Sequence, residues 1–202
     1  MIALIDYKAG NLTSVRKALA AIGADVFTPE APEDLVKAAG IIVPGVGHFG
    51  ATRALDARWV DAILKRISAG APLLGICLGM QWLYESSEEA PELRGLGLLS
   101  GSCRKLRPAP SDPPIKVPHV GWNRLDRSGE GSIVDDVPDG AQVYFTHSYV
   151  APVTADTLAA TEHGEVFASI VQRGRIAGVQ FHPEKSGDVG LTILRNFKRM
   201  VG

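Results

Sequence analysis

"LLGICLGMQW", residues 73–82, runs from a nearly unbroken apolar stretch into a helix-like segment, with Cys77 set between Gly75 and Gly79 at the change. With Pro72 in front of it, the apolar part reads as a strand buried on both faces. Gly-x-Cys-x-Gly at a strand-to-helix junction has the form of a nucleophile elbow in which cysteine replaces serine. Side chains at the flanking positions would collide with neighbouring backbone, and the turn holds its middle residue in strained geometry. The start of the following helix offers a dipole and free N–H groups that favour a thiolate. Free cysteine is also among the most buried residue types, and glycines end many strands for packing reasons alone. The pentapeptide by itself therefore leaves a packing cysteine and a nucleophile both open.

The segments on either side place this strand in a sheet. Upstream, "IALID" (2–6), "ADVFTP" (24–29) and "GIIVPG" (40–45) read as strands. Helical patterns separate them at 11–23, where Asn11 can cap and Gly23 terminate, at 32–40 with Pro32 in the first turn, and at 59–70. Residues 80–89, "MQWLYESSEE", continue as a helix after the elbow, with Met80 and Trp82 in the core. Alternating strands and helices predict a parallel sheet covered by helices, with ligands collecting beyond the carboxyl ends of the strands. Downstream, strand-like pieces at 95–106, 115–125, 141–151, 156–163, 165–174 and 175–183 are divided by Gly, Pro, Asp and Ser, which predicts an antiparallel extension. "DVGLTILRNFKRMVG" (188–202) closes the chain as an amphipathic helix. The proline-rich "RPAPSDPP" (107–114) reads as a surface loop rather than a linker, so residues 1–202 are expected to form one domain.

Composition narrows the function classes. Among 202 residues, 21 Lys and Arg oppose 22 Asp and Glu, so overall charge favours neither nucleic acid nor an anionic membrane as partner. The amino-terminal apolar run stops at Asp6, and no later run is long enough to span a bilayer, so neither export nor membrane insertion is expected. Cys77 and Cys103 lack CxxC or Cys/His metal spacing, which leaves a reducing, cytoplasmic setting with no metal and no cofactor as the expectation. Cys103, in "SGSCRKL", reads as an exposed strand cysteine beside Arg104 and Lys105.

A cysteine nucleophile works best with a base, because a thiol at its reference pKa of ~8.5 is only a few per cent ionised at neutral pH. Of His48, His119, His147, His163 and His182, the last ends the strand-like "GVQFHPE" with Glu184 two residues on. On an extended segment the two side chains lie on one side, so the carboxylate can hold one imidazole nitrogen and leave the other facing the sulfur. A turn with a satisfied histidine is the simpler reading of an isolated HPE. His147, in "YFTHSYV", also follows an apolar strand and is the rival base, without a neighbouring carboxylate. A third strand end, "PGVGHFG" (44–50), supplies glycines that let backbone amides turn toward a ligand. The amide of Leu78, with that of Gly47 or Val46, can form an oxyanion site. A phosphate loop is the competing reading, and the segment lacks the lysine and the spacing of one.

Taken in order, "DYKAGNL", "PGVGHFG", "GICLGMQ", "PHVGWN", "YFTHSY", "GVQFHPEKS" and "GLTILRNF" cover essentially the whole chain. This set resembles the class I (triad) glutamine amidotransferases, and within them the glutaminase subunits of imidazole glycerol phosphate synthases. The resemblance implies a flavodoxin-like amidotransferase fold with a Cys77–His182–Glu184 triad that hydrolyses glutamine to glutamate and ammonia. It implies an oxyanion site at Gly47 and Leu78, and glutamine contacts at Gln81, Glu89, Ser148 and Tyr149. It further implies a heterodimer with a (β/α)₈ barrel cyclase subunit that receives the ammonia in histidine biosynthesis and makes imidazole glycerol phosphate and aminoimidazole carboxamide ribotide. Asn11, Trp122, Tyr144 and Lys185 match positions near that subunit interface, although from sequence alone Trp122 and Tyr144 read as core or sheet-face residues and Lys185 as a surface lysine. Lys8-Ala9 and Val120 depart from the common pattern, and the catalytic set does not. The alternatives are the glutaminase of another ammonia-channelling pair, such as the pyridoxal 5'-phosphate synthase type, a cysteine hydrolase or peptidase acting alone through Cys77 with His147 or His182, and a non-catalytic binding module.

Overall fold

The computed structural model describes residues 1–110 and 114–202. Part of the expected proline loop therefore lies outside the described residues. Thirteen strands are described: β1 (Ile2–Leu4), β2 (Val26–Phe27), β3 (Gly40–Val43), β4 (Leu73–Ile76), β5 (Ser86–Ser87), β6 (Ser102–Lys105), β7 (His119–Arg124), β8 (Asp126–Arg127), β9 (Gln142–His147), β10 (Tyr149–Val150), β11 (Thr157–Glu162), β12 (Val166–Arg173) and β13 (Ile176–Val179). Four α-helices accompany them: α1 (Leu12–Ala21), α2 (Ala57–Ser68), α3 (Leu78–Trp82) and α4 (Gly187–Val201).

Eight strands form one sheet in the order β2-β1-β3-β4-β13-β12-β11-β8. The first five are parallel and the last three antiparallel, which bears out the mostly parallel sheet with an antiparallel extension. Period-2 alternation explains why its central strands are apolar throughout. Ile2, Leu4, Ile42, Leu74 and Ile76 pack on one face with Val15 and Leu19 of α1 and Leu194 and Phe197 of α4. Ala3, Ile5, Ile41, Val43 and Leu73 pack on the other with Ile63 of α2 and Leu78, Met80 and Trp82 of α3. Both faces are covered, so the polar side chains buried in the sheet are paired, as Ser169 of β12 is with Thr161 of β11.

Asp56 caps α2 by accepting from the amides of Arg58 and Trp59. The short helix expected over 32–40 is a 3₁₀ helix at 32–37, and β2 is shorter than the strand expected at 24–29. The helix expected over 80–89 ends at Trp82. Carbonyls that a longer helix would use accept instead from the returning chain: Trp82 from Leu96, Leu83 from Leu98 and Leu99, and Tyr84 from Gly97. The expected strands around 115–125 and 141–151 pair with each other as the separate ribbon β7–β9 rather than joining the main sheet. This ribbon stands beside the carboxyl ends of β4 and β13, because the His182 amide donates to the Tyr144 carbonyl.

Candidate active site

Cys77 follows β4 directly and has φ 53° and ψ −108°, a conformation that costs a non-glycine residue ~1–3 kcal/mol. The elbow is held by backbone contacts at both glycines. A Cβ on Gly75 would lie 2.6 Å from the Gly79 carbonyl oxygen, and one on Gly79 would lie 1.8 Å from that of Val43. The Cys77 amide donates to Val179 of the adjacent parallel strand β13, which fixes the elbow beside the end of that strand. Because α3 has only five residues, the dipole behind Cys77 is that of little more than one turn, weaker than the long helix expected there would supply.

β13 ends at Val179, the chain bends at 180–181, and His182 is extended, with φ −99° and ψ 97°. His182 Nδ1 lies 2.8 Å from Glu184 Oε1, and both side chains are buried. Pro183 starts a 3₁₀ turn that folds Glu184 back onto the ring. Asn11 Nδ2 donates to the same Glu184 oxygen, so a residue matched to the partner interface also touches this carboxylate. His182 Nε2 is buried and has no partner of ordinary hydrogen-bond geometry, as is Glu184 Oε2. Burial works to lower the His182 pKa, but the Cys77 sulfur and the Glu184 carboxylate outweigh it and push it up to about 10.

The rival base has the opposite character. His147 Nδ1 lies 3.0 Å from the Tyr149 carbonyl, which can only accept, so this nitrogen carries the proton. Nε2 must then accept from His119 Nδ1 at 3.0 Å, and His119 Nε2 from Asn123 Nδ2 at 3.3 Å. Burial is the main cause that brings the pKa of His147 down to about 3 and that of His119 to about 4. Both rings are neutral, and both His147 nitrogens are occupied.

A cleft of about 240 Å³ opens over Cys77 and is lined by Gly47, Leu78, Gln81, Glu89, Ser148 and Tyr149, with Pro118, Thr146 and His147. It thus gathers every residue matched to substrate or oxyanion contacts. Glu89 accepts from the Phe49 amide at 2.6 Å, which anchors a carboxylate that the charged "ESSEEA" run suggested was merely solvated. Gln81 is buried and donates through Nε2 to the Tyr149 carbonyl at 3.0 Å and to Gln180 Oε1 at 3.1 Å. The backbone at 45–47 corrects the expectation for Val46, whose amide is turned away to the Ala9 carbonyl at 2.9 Å. The Leu78 amide points toward the Gly45 carbonyl at 3.4 Å, a long bond.

Cys103 is a second correction: it is 0% exposed on β6, and burial, with the Glu89 charge second, drives its thiol pKa up. Trp122 is 57% exposed on the ribbon and is not a core residue. It meets Tyr144 edge to face at 6.1 Å, and Lys185 Nζ lies 5.6 Å from the Tyr144 ring centre. Gln180, Thr146 and His119 are the site neighbours missed in the sequence. Gln180 alone carried a signal, since it stands two residues before His182 in the strand-like run 175–183. Among the described residues, no group of three His, Cys, Asp or Glu side chains is placed to hold a metal, and no helix is long and apolar enough to cross a membrane.

The sequence profile of "Glutamine amidotransferase class-I" matches residues 3–200. The chain is 46% identical to the imidazole glycerol phosphate synthase subunit HisH of Bacillus cytotoxicus, over 100% of this chain and 95% of the relative. It is 45% identical to the subunit of the same name from Bacillus mycoides, with the same coverage. Among solved structures, a glutamine amidotransferase superposes with TM-score 0.76 at 21% identity over 100% of both chains. A glutamine amidotransferase from Thermotoga maritima superposes with TM-score 0.66 at 16% identity, over 99% of this chain and 97% of that one. These two carry the fold alone, whereas the profile and the sequence relatives carry the family: the chain belongs to the class I glutamine amidotransferases.

Proposed function

We propose that this chain is the glutaminase subunit of an imidazole glycerol phosphate synthase, with residues 1–202 forming one glutaminase domain. The observation that carries the reading is the buried His182, placed between Glu184 and Cys77, the last of which lines the cleft. In the proposed reaction, His182 Nε2 takes the Cys77 proton, and the thiolate attacks the side-chain amide carbon of glutamine. The oxyanion of the tetrahedral intermediate takes the place of the Gly45 carbonyl on the Leu78 amide, with the Gly47 amide as second donor after the 45–47 backbone turns. Each such donor is worth ~10²- to 10³-fold in rate. Protonation of the leaving nitrogen by His182 releases ammonia and leaves a glutamyl thioester on Cys77. Water, deprotonated by His182, then releases glutamate.

Glu184 keeps the His182 ring oriented and stabilises the imidazolium, as the third member of a triad does. Glu89 faces the α-ammonium of glutamine, and Gln81, Ser148 and Tyr149 fix its polar ends. The ammonia passes to a (β/α)₈ barrel cyclase subunit in a cytoplasmic heterodimer, which forms imidazole glycerol phosphate and aminoimidazole carboxamide ribotide in histidine biosynthesis. The exposed Trp122, with Tyr144, Lys185 and Asn11, faces that subunit. Because the Val46 amide is held by Ala9, glutamine hydrolysis by the chain alone is expected to be slow. The test is glutamate production by the chain alone, with the cyclase subunit, and with the cyclase plus its nucleotide ligand. A stepwise rise supports the reading, and an unchanged rate refutes the assignment to this synthase.

A further inference from the structure

A row of buried hydrogen bonds reaches the Cys77 sulfur through Gln180, the residue after its backbone anchor Val179, and none of the triad chemistry uses it. Gln180 is 0% exposed, and its Nε2 lies 3.6 Å from Cys77 Sγ. The assignment of that amide nitrogen follows from one fixed atom. The Tyr149 carbonyl can only accept, so the Gln81 group 3.0 Å from it is Nε2. The other Gln81 N–H points to the Gln180 side chain at 3.1 Å, so the Gln180 atom there is the oxygen. Gln180 Nε2 is thereby turned to the sulfur. The Tyr149 carbonyl is itself held by the Nδ1–H of His147, whose tautomer is fixed in turn by His119.

Strand geometry explains why Gln180 can act there. Gln180 and His182 both follow the end of β13, which pairs in parallel with β4, so both stand beside Cys77 where β4 ends. A sulfur that loses its proton gains an acceptor capacity that a thiol lacks, and an N–H aimed at it stabilises the ionised form. The Thr146 carbonyl, 3.8 Å from Sγ on the ribbon side, can accept only from the protonated thiol. The two contacts thus favour opposite states of the same atom.

We propose that Gln180 is a further catalytic residue, which stabilises and aims the Cys77 thiolate through its Nε2–H while Gln81 and the Tyr149 carbonyl hold its amide in the donating orientation. Gln180 transfers no proton; the Cys77 proton still goes to His182. The proposal rests on the glutaminase reading for its catalytic consequence, but the thiolate contact is tested without glutamine.

Alkylation of Cys77 by iodoacetamide in the full chain, followed by mass of the Cys77 peptide across a range of pH, reads the ionisation of the thiol directly. Gln180→Met keeps the length and removes the donor. Its alkylation midpoint is expected to move up by about one pH unit, and kcat for glutamine to fall about tenfold with KM within about twofold. A side chain that only filled space would leave the midpoint in place. As a second measurement on the unsubstituted chain, the Gln180 side-chain amide protons, observed by NMR, are expected to shift through the same midpoint and to stop doing so in Cys77→Ala. A midpoint unmoved in folded Gln180→Met, or amide protons insensitive to that transition, overturns the proposal. Absence of glutamine turnover in the unsubstituted complex would instead overturn the glutaminase reading and leave the alkylation result standing.

Discussion

His182 and His147 are both buried near Cys77, and their surroundings drive them in opposite directions. Burial lowers the pKa of each. At His147 only the hydrogen bond to the Tyr149 carbonyl opposes it, and that is outweighed, because the ring's other neighbours are the neutral His119 and the phenyl rings of Phe145 and Phe167. At His182 a carboxylate on one side and a sulfur on the other reverse the sign. Desolvation alone therefore does not decide what a buried histidine does; the presence of an anionic partner does. On the proposed reading His182 holds and returns a proton, whereas His147 keeps a fixed tautomer that pins the Tyr149 carbonyl.

Substitution at the two rings should separate them most sharply. His182→Gln is expected to lower glutamine turnover about 10⁴-fold, in line with loss of a triad base, whereas His147→Gln costs less than about tenfold. Equal losses in a steady-state assay with the cyclase present would erase the distinction. Glu184→Gln removes the charge but keeps the shape, and an expected loss of about 10²-fold is accompanied by an alkaline limb of the kcat profile displaced to lower pH. An undisplaced limb would mean that Glu184 does not lift His182.

Gly79→Ala drives a methyl into the Val43 carbonyl at the elbow that aims Cys77 toward His182, and is expected to destabilise the fold by about 3 kcal/mol or more in denaturant titration. The smallest effect concerns stability against pH. The His182 pKa is raised from 6.5 to about 10, so its contribution to stability is complete below 6.5 and is lost as pH rises through about 10. For His147 the pKa falls from 6.5 to about 3, so its contribution is complete above 6.5 and is lost as pH falls toward 3. His147→Phe leaves the Tyr149 carbonyl and the His119 N–H each one partner short, costing about 1–3 kcal/mol near neutrality. Its melting temperature should nevertheless fall less steeply below pH 6.5 than that of the unsubstituted chain, and a parallel decline would show that His147 is not held neutral.

What was legible in the sequence was local. The unbroken apolar run at 72–77 declared a strand covered on both faces, Gly75 and Gly79 declared the elbow, and the spacing of His182 and Glu184 declared a carboxylate within reach of an imidazole. The rest depended on distant segments. Cys103 reads as exposed beside Arg104 and Lys105, yet its own side chain points inward among Tyr84, Leu99 and Ala151, which no local pattern reveals. The helix after Cys77 stops early because residues 96–99 occupy its carbonyls. The Val46 amide faces Ala9, a pairing between two loops that composition and spacing do not encode. Trp122 and Tyr144 alternate along strands, but which face of an isolated ribbon is left open is settled only by the sheet it does not join.

A covalent bond between Cys77 and glutamine is the central step of the proposed reaction. Acid quenching of the complex during turnover of isotopically labelled glutamine, followed by peptide mapping, measures this directly. A labelled glutamyl thioester is expected on the peptide containing Cys77 and none on that containing Cys103, with the label absent in Cys77→Ala. Turnover that continues in Cys77→Ala, or a glutamyl adduct on any other residue, would contradict it.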